Sequence, residues 1–416
     1  MIRRRYRRYL LSALLAGAAL VVTLAPAAQA HGERAQEAFL RMRTVSWVDV
    51  TFSSDRVRQG ETLTITGTAK ILDAWPTNLA KGNPNTAFLG LIAPGPVVVL
   101  KERTINGVSV PTRIDAKKGD IYEFSMTVAG RRVGRWHVHP ALSVKGAGTL
   151  LGPGQWINVD KNPDGFRNDV TLVEAGGNPG GTINLENYQL SFTWIWLVIT
   201  FLIGLAWMIY WTVPKRTVTN LAVTSQIPLN TDGMDYGLIT KKDHRNMNWF
   251  AIGTALLLVA GWIWQANAFP TKMPQQIFQF APPRPAVAET SLIGTAGLGE
   301  ARYDEGSQTL TMDVDVTNRG TTPMELQQFT TSTLKFAPGL APGENTGGLT
   351  ATPSGSVAPG ATTKLSVAMQ GPGWEGEKLI PVNESSQMII GILVFQTGDG
   401  KKVFTEVEAN LQPILK

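Results

Sequence analysis

The 416-residue sequence predicts a mainly β protein: two extracytoplasmic β-sandwich domains joined by a two-helix transmembrane hairpin, behind a cleaved signal peptide. Three observations carry that prediction. A basic and then apolar leader ends in Ala28-Gln29-Ala30, and two charge-free apolar runs lie mid-chain. Both flanks of those runs show period-two alternation broken by Gly and Pro.

Residues 1–30 read as the signal peptide. Arg3, Arg4, Arg5, Arg7 and Arg8 form a basic n-region before the apolar run Leu10 to Leu24, and small residues follow at the cleavage positions. An uncleaved anchor would need a longer run without Pro26. The same arginines account for the basic balance. Of 38 basic residues, five lie here, leaving 33 against 32 acidic, so residues 31–416 carry a net charge of only +1. The composition therefore gives no support to nucleic-acid binding.

Thr193 to Trp211 holds no charge, and as a helix it is about 28 Å long, close to the roughly 30 Å hydrocarbon core of a bilayer. Trp249 to Phe269 is alike, and both runs carry Trp near their ends. Between them, 212–248 holds Lys215, Arg216, Lys241, Lys242 and Arg245, whereas 178–192 holds no Lys or Arg. The positive-inside bias puts that loop in the cytoplasm and both flanking regions outside, in agreement with the leader.

Residues 31–192 form the first β domain. Ser46 to Phe52, Thr62 to Thr66, Val97 to Leu100, Asp120 to Val128 and Gly134 to His139 read as strands, with turns at Pro94-Gly95-Pro96 and Gly152-Pro153-Gly154. His31 to Met42 is the exception, with the pattern of a short helix. After a Pro-rich linker over 270–295, residues 296–416 form the second domain. Leu310, Met312, Val314 and Val316 alternate with polar residues. Val357 opens a strand running through Leu365 and Val367, Met388 to Phe395 reads as a buried strand, and Thr397-Gly398-Asp399-Gly400 as a hairpin.

Candidates for chemistry are few. There is no Cys, which removes disulfides, thiolate metal sites and Cys nucleophiles, and there are four His: 31, 137, 139 and 244. No paired acid and base and no phosphate-cradling loop stands out, so catalytic residues stay unassigned. Trp136-His137-Val138-His139 puts two imidazoles on one face of a strand, about 6.5–7 Å apart along it, within reach of one metal ion. By itself that spacing fits a hydrogen-bonded or surface pair as well. Cleavage after Ala30 adds His31 as a chelator through its α-amine, of ordinary pKa about 7.7–8.0, and its ring. Four nitrogen donors from three residues suit copper among late first-row metals. Glu33 is either a partner orienting that ligand or merely solvated. His244, among Lys241, Lys242 and Arg245, reads as an exposed basic residue.

The run His31-Gly32-Glu33-Arg34-Ala35-Gln36-Glu37-Ala38-Phe39-Leu40-Arg41-Met42-Arg43-Thr44 resembles the mature start of the B-type subunit in the particulate methane monooxygenase and ammonia monooxygenase family. So do Trp75-Pro76, Pro94-Gly95-Pro96-Val97, Trp136-His137-Val138-His139, Gly152-Pro153-Gly154-Gln155-Trp156, Phe166-Arg167-Asn168 and Leu185-Glu186-Asn187-Tyr188. The C-terminal half matches mainly in layout, best at Val316-Thr317-Asn318-Arg319-Gly320. The resemblance implies cupredoxin-like domains and copper at His31, His137 and His139. It implies two further membrane-embedded subunits, of A and C type, in an oligomer of heterotrimers. The reaction class it implies is hydroxylation of ammonia, methane or a short alkane with O₂, at this copper or in a partner subunit. Some methane-oxidising members carry an extra His pair where Ser46 and Lys70 stand here, so that second copper site is not expected. A membrane-anchored copper carrier and a structural scaffold are the competing readings; blue-copper electron transfer lacks its Cys.

Overall fold

The computed structural model describes residues 38–82, 84, 86–110, 113–173, 179–213, 241–269, 294–380 and 387–412. The leader, His31, Glu33, most of the inter-helix loop and nearly all of the Pro-rich linker lie outside the described residues.

A short helix, α1 (Ala38–Thr44), leads into β1 (Val45–Phe52), β2 (Arg56–Arg58), β3 (Thr62–Ile71), β4 (Ala87–Ile92), β5 (Val98–Ile105) and β6 (Val108–Ser109). Then come β7 (Ile121–Gly130), β8 (Gly134–Val144), β9 (Gly148–Leu151), β10 (Gln155–Asp160), β11 (Asp169–Val173) and β12 (Pro179–Asn184). Two long helices follow, α2 (Leu190–Thr212) and α3 (Lys241–Ala268). The C-terminal strands are β13 (Gly294–Ala296), β14 (Leu298–Asp304), β15 (Thr309–Asn318), β16 (Met324–Thr331), β17 (Leu334–Ala337) and β18 (Thr346–Thr352). They end with β19 (Ser356–Val357), β20 (Thr362–Gln370), β21 (Gln387–Thr397) and β22 (Lys402–Leu411). Contacts group the chain into two compact units, one of 1–165 with 277–416 and one of 166–276.

In the first unit, the N-terminal strands form two sheets, β1-β3-β7-β5-β6 and β2-β10-β8-β4, with β9 beside β8. Alternation explains why they stack. Leu63 and Ile65 on β3, Phe124 and Met126 on β7, and Val138 and Ile157 on β8 and β10 all enter one buried cluster. Trp47 meets Phe124 edge to face at 5.5 Å within it.

The C-terminal strands run β15-β14-β22-β21-β16-β17-β18-β20, and β20 pairs back onto β15. The sheet thus closes on itself, joining at both edges what the alternation alone reads as a two-layer sandwich, and leaving few exposed edges. Leu310, Met312, Val314 and Val316 on β15 are buried, with Leu365, Val367 and Met369 of β20 alongside. The strand expected from Val357 onward is two strands, because Pro359-Gly360, with Gly360 at φ 71°, turns the chain between them.

The two β regions share one apolar cluster: Met42, Val48, Leu72 and Ile121 pack with C-terminal residues such as Phe329 and Leu393. Polar contacts surround the join. Ser46 and Lys70 are direct cross-strand neighbours on β1 and β3. Ser46 Oγ lies 3.0 Å from Thr330 Oγ1, and Lys70 Nζ donates to Glu406 Oε2 at 3.2 Å. Glu406 also accepts the backbone N–H groups of Asp73 and Ala74. A bulge after Val48, with Asp49 at φ 50°, turns Asp49 toward Lys335 Nζ and Lys402 Nζ at 2.8 and 2.6 Å. On α1, Arg41 pairs with the carboxylate and carbonyl of Glu377.

In the second unit, α2 and α3 are each long and apolar enough to cross a bilayer. They pack antiparallel: Phe192 meets Trp264 at 5.0 Å near one end, and Trp207 stacks on Phe250 at 4.6 Å near the other. α3 begins at Lys241, ahead of the apolar run that starts at Trp249. No Pro or Gly stops it there, and Tyr210 of α2 donates to buried Asp243 at 2.6 Å, tying the polar first turns to the partner helix.

Candidate metal centre

β8 presents Arg135, His137 and His139 on one face, while Val138 points the other way into the sandwich core. Two strands pair along this part of β8. β4 places Ile92 opposite His139, and β10 places Trp156 opposite His137. Gly152-Pro153-Gly154 carries the chain from β9 to β10 beside the imidazoles.

His139 is 5% exposed, and Nδ1 lies 2.8 Å from the carbonyl oxygen of Gly152. A carbonyl only accepts, so Nδ1 carries the proton and Nε2 keeps its lone pair. That Nε2 lies 3.1 Å from His137 Nδ1, and the two rings meet edge to face at 4.5 Å. Without a metal, the proton in this contact belongs to His137 Nδ1. Gly154 makes the tautomer lock possible. A Cβ there would sit 2.2 Å from His139 Cε1, so only glycine lets the ring lie against the backbone.

The pair fits a metal ion. Two nitrogens bonded at about 2.0 Å and roughly at right angles lie about 2.8 Å apart, close to the observed separation. Among the described residues, no group of three or more His, Asp or Glu completes a metal-binding cluster. Any third ligand would come from outside these residues, and His31 lies outside the described residues. His244 is exposed on the first turn of α3 and belongs to the other unit.

A groove of about 600 Å³ opens beside His137. Its wall combines Arg135, Trp156 and Asn158 with Glu344 to Thr346 of the C-terminal region. The Trp156 indole is stacked on His137, with centroids 4.9 Å apart and planes at 28°. Arg135 Cζ lies 4.7 Å from the Trp156 ring centroid. The roles of Gly152, Gly154 and Trp156 depend on strand register across β8 and β10. The nearest signal for them in the sequence was the Gly-Pro-Gly turn followed by an aromatic.

Residues 32–415 match the family of monooxygenase B-subunit proteins. The chain belongs to that family. A full-length relative is the particulate methane monooxygenase alpha subunit of Methylococcus capsulatus, 29% identical over 422 residues and covering 99% of both chains. Among solved structures, the cupredoxin domain of amoB from Nitrosocaldus yellowstonii aligns at 18% identity with a TM-score of 0.24. That alignment covers 30% of this chain and 92% of the other. The Vibrio cholerae VesB protease aligns at 11% identity and a TM-score of 0.17, over 29% of this chain and 32% of its own. The likenesses to solved structures are slight. It is the match along nearly the whole sequence that makes this chain a monooxygenase subunit.

Proposed function

We propose that this monooxygenase subunit is the copper-binding part of a membrane-bound complex that uses O₂ to hydroxylate ammonia, methane or a short alkane. In this reading the signal peptide is removed after Ala30. Both β regions lie outside the cytoplasm, α2 and α3 span the membrane, and A- and C-type subunits complete the complex. His137 Nδ1, His139 Nε2 and the amine and ring nitrogen of His31 hold the copper, and O₂ is reduced either at this copper, which would supply the redox chemistry, or at a site in a partner subunit.

The supporting observation is the convergence of His139 Nε2 on His137 Nδ1 with the Gly152 carbonyl holding the other proton of His139. A ligand whose remote nitrogen is already hydrogen-bonded needs no reorientation to bind metal. For copper to enter, the His137 ring proton must shift from Nδ1 to Nε2, which frees Nδ1 and leaves the imidazole neutral. The α-amine of His31 must lose a proton, which makes loading easier as pH rises toward 8.

The test is copper per complex, purified from native membranes, in the His137→Ala, His139→Ala double variant. The reading expects copper to be lost and product formation with it, while the A- and C-type subunits still co-purify. Unchanged copper content overturns the site, and purification of the chain without partners favours a carrier. Mass spectrometry of the mature chain checks the leader, with His31 expected as the first residue.

A further inference from the structure

We propose that Trp156 is a positioning residue for His137, its indole fixing the plane of that imidazole and so the strength and geometry of copper binding. The proposal rests on the copper reading above.

The two rings of the pair are held in different ways. His139 is buried, bonded through Nδ1 to Gly152 and pressed against Gly154. His137 stands on the groove side of the pair, half-buried. Two ring contacts of different geometry bear on it: the edge-to-face contact with His139, at 83°, and the stacked contact with Trp156, at 28°. An imidazole has two side-chain torsions. An edge contact leaves rotation about the contact direction open, and a stacked face closes it. Together they fix the direction in which Nδ1 points.

Strand register puts the two side chains next to each other. Trp156 is the direct cross-strand partner of His137, at a separation where paired side chains on one face touch. Packing alone does not account for an indole here, since Trp156 remains 45% exposed and is absent from the sandwich core. Its indole instead meets the His137 ring and the Arg135 guanidinium. Arg135, two residues before His137 and on the same face of β8, places its guanidinium against the indole and holds it over the ligand.

The experiment uses the intact complex, stripped of copper and reloaded with Cu(II). Retention against a competing chelator and the Cu(II) electron paramagnetic resonance spectrum are recorded for wild type, Trp156→Phe, Trp156→Leu and His137→Ala. Trp156→Leu should weaken retention by about 10-fold or more, the lower end for loss of a residue that orients a ligand, and should change the copper hyperfine splitting. Trp156→Phe, which keeps a stacking face, should restore both. Should Trp156→Leu fail to accumulate, Trp156→Thr, suited to a half-exposed strand, gives the same readings. Wild-type retention and spectrum in Trp156→Leu, alongside copper loss in His137→Ala, overturn the role of Trp156 and leave the copper site standing. Full copper in His137→Ala overturns the site itself.

Discussion

Gly154 shows how little space separates the His139 ring from the backbone. Its missing side chain is where the His139 ring lies, so Gly154→Ala should push the ring off the Gly152 carbonyl and lower copper retention by about 10-fold or more, read as metal per complex. Asp49 makes a different kind of prediction. Burial raises its pKa, but hydrogen bonds from Lys335 and Lys402 outweigh that and hold it below the ordinary value of 3.8. A carboxylate whose pKa is depressed on folding stabilises the protein above its unfolded pKa and loses that contribution as pH falls through the folded one. The two ion pairs are partly exposed, so each is worth about 0–1 kcal/mol. Asp49→Asn should therefore lower the melting temperature slightly at neutral pH. The difference should begin to shrink below about pH 4 and vanish only once pH has fallen through the lower, folded pKa. A difference that persisted in acid would rule out the ion pairs as its source.

At the scale of elements, the hairpin of α2 and α3 depends on close approach as much as on apolar composition. A Cβ at Gly261 would lie 1.6 Å from Cζ2 of Trp196, so the indole of one helix occupies the space beside the other's backbone. Gly261→Leu should force the helices apart, costing about 1–3 kcal/mol or more, seen as lower yield and faster thermal loss of the solubilised complex. The apolar runs were legible from composition, since an unbroken run near twenty residues has few other uses. The start of α3 at Lys241 was not, because the apolar run gives no signal for the polar turns ahead of it, which here are tied to α2 by the Tyr210 hydroxyl donating to Asp243. On the strands, alternation identified β15, but short strands such as β17 and β18 escaped notice because Gly-rich and mixed runs carry little periodicity.

For the first unit as a whole, the join between its two β regions is the vulnerable feature. Lys70 is only 2% exposed, and its charge is met by Glu406, which also accepts two backbone N–H groups. Glu406→Ala leaves a buried ammonium and two N–H groups unmatched and should cost about 3–5 kcal/mol, measured as a lower unfolding midpoint. Adding Lys70→Met to Glu406→Ala should recover much of the loss, because the unpaired charge is then gone. No recovery in the double variant would mean that the backbone contacts of Glu406, not the ion pair, hold the join. The Ser46 and Lys70 positions thus bind the two β regions together in this chain.

The sequence by itself determined the classes of structure, β regions on either side of two apolar helices, and showed that five arginines within residues 1–30 account for most of the net charge of +6. It also singled out the histidines, because scarcity and a strand period of two are local properties that survive without knowing the fold. What the residues resembled added the family, and the match over 32–415 established it. Only the tertiary structure decided which side chains surround the His pair. Gly152, Gly154 and Trp156 meet His139 and His137 through the return of the chain from β9 into β10 and the register of β10 on β8. Ser46 and Lys70 meet Thr330 and Glu406 across more than 280 residues of chain. Such contacts depend on how strands far apart in sequence pair and pack, and no window of neighbouring residues encodes that.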